Sequence, residues 1–333
     1  MRIKQVVFTE KNRCVVEERD LRDTPAENEI LVRNVRTLIS AGTELAMLTK
    51  IHRGFSDPAN TYAHYPFYPG YSAVGEIVKA GAHAAAAGLV AGEMVAWEGK
   101  HATHGLTSDM ISTYLLPRAS DDDLEVYTFA ALLTTAFTSI HLAPVTPGEN
   151  VVVVGMGIVG NLTAQLYRAM GAGTVAGADL SPRRLEVARA TGAVDLAFDT
   201  SQRPLTEWTR DLGSRGAELV VDAVGLSPSI SSCLKAVAAR GRVVLLGSPR
   251  EKMEIDPYND IHSRGVRLIG AHASTVDRAA RERDRPLVLG WLRDGCVRVR
   301  DLITRHYALH DAPAAFAGLR DKPDVHLGVI LTY

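Results

Sequence analysis

The segment Val151-Val152-Val153-Val154-Gly155-Met156-Gly157-Ile158-Val159-Gly160 restricts the fold more than any other part of the chain. Four consecutive β-branched apolar residues read as a buried strand, and the run passes through G-x-G-x-x-G directly into a helical pattern over Gly160–Met170. Each glycine has its own reason to be there. Gly155 permits a tight turn, Gly157 lets backbone approach a pyrophosphate, and Gly160 lets helix and strand pack closely. The phosphates then face the helix N-terminus at Ile158 and Val159, where unpaired N–H groups and the helix dipole favour anions.

Asp179 closes the next strand, Thr174–Ala178, at the distance where a carboxylate binds the ribose hydroxyls of an adenosine. That points to NAD, because a 2'-phosphate would meet a like charge. Arg183 and Arg184 follow at once and keep NADP open as an alternative cofactor. The texture of βαβ units continues: a helix over Arg183–Thr191, strands at Leu219–Val221, Arg242–Leu246 and Val266–Ile269, and helices over Ser229–Ala239 and Arg285–Asp294.

Before Gly148 the pattern differs. Short apolar runs broken by Gly, Pro and Asp, such as Glu29–Val35, Ser72–Val78 and Glu93–Trp97, read as strands. With 333 residues the chain is expected to build two cores. A net charge of -1 gives no basic field for nucleic acid or anionic lipid. No apolar stretch is long enough to span a bilayer, and the first ten residues lack the apolar core of a signal peptide, so a cytoplasmic protein with no membrane partner is expected. Three scattered cysteines, Cys14, Cys233 and Cys296, exclude a disulfide framework and a thiolate-rich metal site. Asp121-Asp122-Asp123 and Ala82–Ala87 read as a solvated loop and a short turn.

Several segments in order along nearly the whole chain resemble the medium-chain dehydrogenase/reductase family. Ala41-Gly42-Thr43-Glu44 is similar to its C-G-T-D segment, Pro69-Gly70-Tyr71-Ser72-Ala73-Val74-Gly75 to its G-H-E-x-x-G segment, and Thr135-Ala136-Phe137 to its T-x-Y turn. The glycine loop, Asp222-Ala223-Val224-Gly225 and Leu246-Gly247-Ser248 follow in family order. Ser40–Glu44 together with Tyr68–Tyr71 also resembles the bacteriochlorophyllide-type dehydrogenase branch. The resemblance implies an α/β protein: a GroES-like β-barrel catalytic domain over 1–144 and 298–333, and a Rossmann doubly wound parallel sheet over 145–297. It also implies a homodimer acting on a small-molecule substrate, with cofactor contacts from Thr135, Val224, Gly225, Gly247, Ser248 and His272.

The chain departs from that family at its catalytic zinc. The ligand positions hold Ala41, Tyr71 with Ser72, and Ala131, none of them a zinc ligand, so no metal and no zinc is expected. His101-Ala102-Thr103-His104 has two imidazoles without a third partner. Polarisation of the reacting oxygen is then expected from hydrogen-bond donors. Thr43 matches the family hydroxyl near the substrate oxygen, against the plain reading of a loop threonine. Tyr71 aims a phenol into the vacated metal position, or fills it with its ring. Ser40, Glu44, Trp97 and His101 are expected around the substrate; Glu44 alternatively braces its loop, and Trp97 is alternatively core. His272 reads either as a proton carrier or as structural. The reaction expected is interconversion of a secondary alcohol and a ketone. The alternatives are an NADPH-dependent quinone or enoyl C=C reductase, a non-redox enzyme recycling tightly bound NAD, and a non-catalytic nucleotide binder.

Overall fold

The computed structural model describes residues 1–109, 112–117 and 121–333. The chain forms two compact units, 1–131 with 303–333, and 132–302; the sequence reading had placed the junctions at 144/145 and 297/298.

The first unit is built on β1 (Arg2–Glu10), β2 (Arg13–Asp20), β3 (Ile30–Leu38), β4 (Ala73–Ala80), β5 (Met94–Trp97), β6 (His104–Thr107) and β7 (Tyr114–Leu115). β1 and β2 pair as an antiparallel hairpin. β3 is the hub of the main sheet: it pairs along one edge with β4, and along the other with β6 at Ile30–Arg33 and with strand Gly328–Thr332 at Arg36–Leu38. One face of this unit packs Val6, Phe8, Ile39, Met47, Phe316, Val329 and Leu331 into a common core. A second cluster gathers Val32, Ile77, Val95 and Trp97. Helix α1 (Ala41–Leu48) follows β3 directly, where the sequence pattern had suggested a loop. Ala82–Ala86 and Asp121–Leu124 are also short helices rather than a turn and a loop, since Ala-rich and Asp-led segments form a helical turn readily.

The second unit carries a wholly parallel sheet of six strands, β8 (Asn150–Val154), β9 (Thr174–Asp179), β10 (Leu196–Asp199), β11 (Ala217–Asp222), β12 (Val237–Leu245) and β13 (Arg267–Gly270). The spatial order is β10-β9-β8-β11-β12-β13, the Rossmann order with its topological switch between β8 and β11. Every residue of β8 is buried, as a central parallel strand covered on both faces requires. Helices α2 (Ile158–Ala169), α3 (Pro182–Ala190), α4 (Ser227–Ala236) and α5 (Arg278–Arg293) complete it. The start of α5 lies seven residues before the expected Arg285, because the Asp277 carboxylate accepts the Ala280 N–H and caps the helix there.

Candidate functional site

In the second unit the glycine turn sits between β8 and α2, at the carboxyl end of the central strand. Gly155 has φ +92°, which favours glycine, and a Cβ there would press on Val224 Cγ2 at 2.6 Å. A Cβ on Gly160 would lie 1.7 Å from the Gly155 carbonyl oxygen. Gly157 is different: nothing in the protein lies within 4 Å of the position its Cβ would take. Two glycines therefore shape the turn from inside, and the third leaves open space at the first residues of a helix, where an anion is favoured.

Asp179 ends β9 and is nearly buried. Its Oδ2 accepts the Met156 N–H at 2.7 Å and its Oδ1 accepts the Ser181 N–H at 2.8 Å. An ionised carboxylate offers about four lone-pair sites, so acceptor capacity for ribose hydroxyls is left. Arg184 Nη1 stands 3.8 Å from Asp179 Oδ2, and the buried Arg184 Nε has no partner.

A second turn pair lies beyond the switch point, at the ends of β11 and β12. Asp222 organises it, a role the sequence reading missed although it quoted the residue. Its carboxylate accepts the Gly225 N–H at 2.8 Å and the Ser229 hydroxyl, and its carbonyl accepts the N–H groups of Leu246 and Gly247 at 2.9 and 2.7 Å. Burial pushes the Asp222 carboxyl above the usual carboxylate range, against the opposing pull of these donors. Gly225, at φ +79°, and Gly247 pack their backbones against Ser248 and Val224 with no room for a Cβ. Ser248 is exposed and Val224 partly buried. His272 is exposed and caps a short turn, with Nδ1 2.7 Å from Ser274 Oγ. Thr135 is partly buried on helix Ala130–Leu142.

In the first unit, the start of α1 gathers Ser40, Thr43 and Tyr71. Ser40 is the N-cap residue, yet its side chain caps nothing: its Oγ receives the Tyr71 hydroxyl instead. Thr43, three residues on, favours the ionised form of the same phenol. Burial pushes the Tyr71 hydroxyl up to about 12, with the Glu44 charge adding to the rise and the Ser40 and Thr43 hydrogen bonds opposing it. Tyr71 is thus a neutral donor across the physiological range. Tyr62, unremarked in the sequence, has its phenol raised by desolvation at the hydroxyl and by the Glu44 charge.

Glu44 and His101 are brought together, but in the interior. His101 is 0% exposed and Glu44 1%. His101 Nε2 lies 2.8 Å from Glu44 Oε2 and its Nδ1 2.7 Å from Thr37 Oγ1. With both nitrogens engaged and no exposed surface, His101 does not present a wall to substrate. Trp97 takes the core position that was its alternative reading: its ring belongs to the core cluster and its N–H donates to Asn34 Oδ1 at 3.0 Å. His104 sits at the start of β6, and burial and the Arg33 charge hold its imidazole below the usual range.

The positions that hold zinc in the family carry no ligand set here. Ala41 carries no donor, Tyr71 is committed to Ser40, and the Ser72 hydroxyl is buried without a partner. No group of three or more His, Cys, Asp or Glu among the described residues is arranged to hold a metal ion. These residues do not fit the thiolate and imidazole set that zinc takes.

Among the described residues, no helix is long and apolar enough to cross a membrane. Residues 159–288 match the family described as zinc-binding dehydrogenase. This chain spans about half the length of the first curated relatives it matches: L-threonine 3-dehydrogenase of Bacillus licheniformis is 29% identical over 179 residues, which cover 54% of this chain and 50% of that protein. Solved structures match the whole chain. A zinc-binding dehydrogenase of Sinorhizobium meliloti bound to NADP superposes with TM-score 0.83 at 20% identity, covering 100% of both chains. An Escherichia coli alcohol dehydrogenase complexed with NADH superposes with TM-score 0.82 at 21% identity, covering 100% of this chain and 99% of that one.

Proposed function

We propose that the chain acts as a medium-chain dehydrogenase/reductase that interconverts a secondary alcohol and a ketone with NAD, using hydroxyl donors in place of zinc. The bound nicotinamide supplies or receives the hydride. What supports NAD rather than NADP is the Asp179 carboxylate at the end of β9, whose charge disfavours a 2'-phosphate.

The observation that carries the reading is the Tyr71 hydroxyl held by Ser40, with Tyr71 standing where the family carries a metal ligand. In the reducing direction Tyr71 turns its O–H onto the ketone oxygen and steadies the charge that grows there as hydride reaches carbon. Its proton then passes to the alkoxide, downhill because an alcohol holds a proton more tightly than a phenol. Hydroxyls donate as well as accept, so Ser40 and Thr43 rotate to solvate the phenolate until solvent returns the proton. Oxidation needs Tyr71 already ionised. With its phenol at about 12 that form is scarce at neutral pH, and alcohol oxidation quickens as pH rises.

The test is reduction of cyclohexanone with NADH and with NADPH, oxidation of cyclohexanol and L-threonine with NAD, and C=C reduction of 2-cyclohexenone. Tyr71→Phe lowers kcat for ketone reduction by about 10²–10³-fold with unchanged NADH affinity, and metal-free enzyme retains turnover. Full activity in Tyr71→Phe, or loss of a bound metal together with turnover on chelation, would falsify the reading.

A further inference from the structure

Removing a metal from a site of this kind removes the tie that holds its loops in register. A different tie is present in the first unit. Glu44 lies on α1 and His101 on the segment between β5 and β6, 57 residues apart in sequence, and both side chains are withdrawn from solvent. Their contact is not isolated. Glu44 Oε1 accepts the Ser40 N–H at 3.0 Å, and His101 Nδ1 meets Thr37 Oγ1, which meets the Tyr333 hydroxyl at 2.9 Å. The His101 N–H itself donates to the Pro69 carbonyl at 3.0 Å, two residues before Tyr71. A Cβ on Gly70, φ +105°, would lie 2.4 Å from the same His101 nitrogen. Both segments that carry the donor cluster, Ser40–Thr43 and Pro69–Tyr71, are therefore fastened to His101, one through Glu44 and one through its backbone.

We propose that Glu44 and His101 are positioning residues, a buried clasp that sets Ser40 against Tyr71 and so fixes the direction of the Tyr71 hydroxyl. Neither residue touches substrate. The catalytic part of this inference rests on the reading of Tyr71 as the donor; the clasp itself rests only on the hydrogen bonds. A misplacement of about 1 Å at a reacting group costs about 10²-fold in rate, so a loosened clasp is felt in kcat while nucleotide affinity stays put.

Two amide substitutions separate positioning from mere filling of space. Gln carries its amide nitrogen near the place of the imidazole Nε2, and Asn near that of Nδ1. His101→Gln keeps a donor towards Glu44 and gives up Thr37; His101→Asn does the reverse. Ketone reduction is followed with cyclohexanone and NADH, and amide hydrogen exchange at Ser40 reports the clasp without reference to activity. In His101→Asn kcat falls about 10²-fold and Ser40 exchanges about tenfold faster, whereas His101→Gln stays close to wild type in both. Equal loss in the two variants, or unchanged Ser40 exchange in His101→Asn, overturns the clasp. Faster exchange with unchanged kcat overturns its positioning role, and Tyr71→Phe then shows whether the donor reading has failed with it. Should His101→Asn not fold, Glu44→Gln and Glu44→Ala take its place. The amide still accepts from Ser40 and donates to His101, so Glu44→Gln keeps its activity and native Ser40 exchange while Glu44→Ala loses both; parallel behaviour of that pair overturns the proposal.

Discussion

The Asp179 carboxylate accepts the Met156 N–H at 2.7 Å, so the residue that closes the second strand of the parallel sheet also holds the turn that leaves the first. On the proposed reading, selectivity for the adenosine end and the shape of the phosphate turn fall to one side chain. Asp179→Ala strands two backbone donors, Met156 and Ser181. It is expected to lower stability by about 1–3 kcal/mol, weaken NADH binding and narrow the gap between NADH and NADPH; urea denaturation and fluorescence titration with both nucleotides check this.

Gly157 and Gly160 should separate under the same substitution. The added methyl of Gly157→Ala meets no protein atom, so stability stays within about 0.5 kcal/mol while NADH affinity falls. Gly160→Ala drives a methyl into the Gly155 carbonyl and costs about 1–3 kcal/mol or more. Melting temperatures of the two apo proteins, compared with their NADH titrations, decide it.

Asp222 makes stability depend on pH with a definite sign. Burial raises its carboxyl in the folded state, so the unfolded chain loses this proton first. Between the ordinary carboxylate range and the raised value the folded state binds more protons, and the contribution of Asp222 to stability falls as pH rises. Below that window the term vanishes. Asn keeps an acceptor for Gly225 and does not titrate, so the difference in unfolding free energy, wild type minus Asp222→Asn, should decline from acid towards neutral pH in urea titrations; a rising difference contradicts it.

Tyr71 should leave a spectroscopic mark. Its phenol ionises near 12, well above a free tyrosine, so difference absorbance at 295 nm shows a late-titrating tyrosine that Tyr71→Phe removes. Ketone reduction should show no loss from phenol ionisation at or below pH 10.

Trp97 tests the line between core and pocket. Trp97→Phe leaves Asn34 Oδ1 without its indole donor, a cost of about 1–3 kcal/mol. Because the ring lies in the core cluster, the ratio of rates on cyclohexanone and a bulkier ketone should not move.

The parallel unit was legible because its signals are local and repeated. Four β-branched residues before Gly155, an acid closing the following strand and βαβ spacing each point to a doubly wound parallel sheet, and the sheet found is ordered β10-β9-β8-β11-β12-β13. β10 was missed, since Leu196–Asp199 is four residues long with Leu196 exposed, too short for a period to register. The first unit was harder. Ser40, Thr43 and Tyr71 were named through family order, and nothing local marks that a serine at a helix start accepts the hydroxyl of a tyrosine 31 positions on. His101 was read as a pocket residue because composition and spacing do not reveal that a carboxylate 57 positions earlier will meet it in the interior. Long-range pairing between buried ionisable groups is set by tertiary packing, which a one-dimensional pattern does not encode.

The partnership of β3 with strand Gly328–Thr332 imposes an order on biosynthesis. Residues 132–302 are contiguous, and everything that unit needs has been translated before Gly328 is added. The other unit waits: the edge of β3 at Arg36–Leu38 stays uncovered on the ribosome until almost three hundred further residues have emerged. Edges left open in this way recruit stray strands, so newly made chains are most exposed to aggregation at the oldest part of the sequence, and premature termination strikes there too.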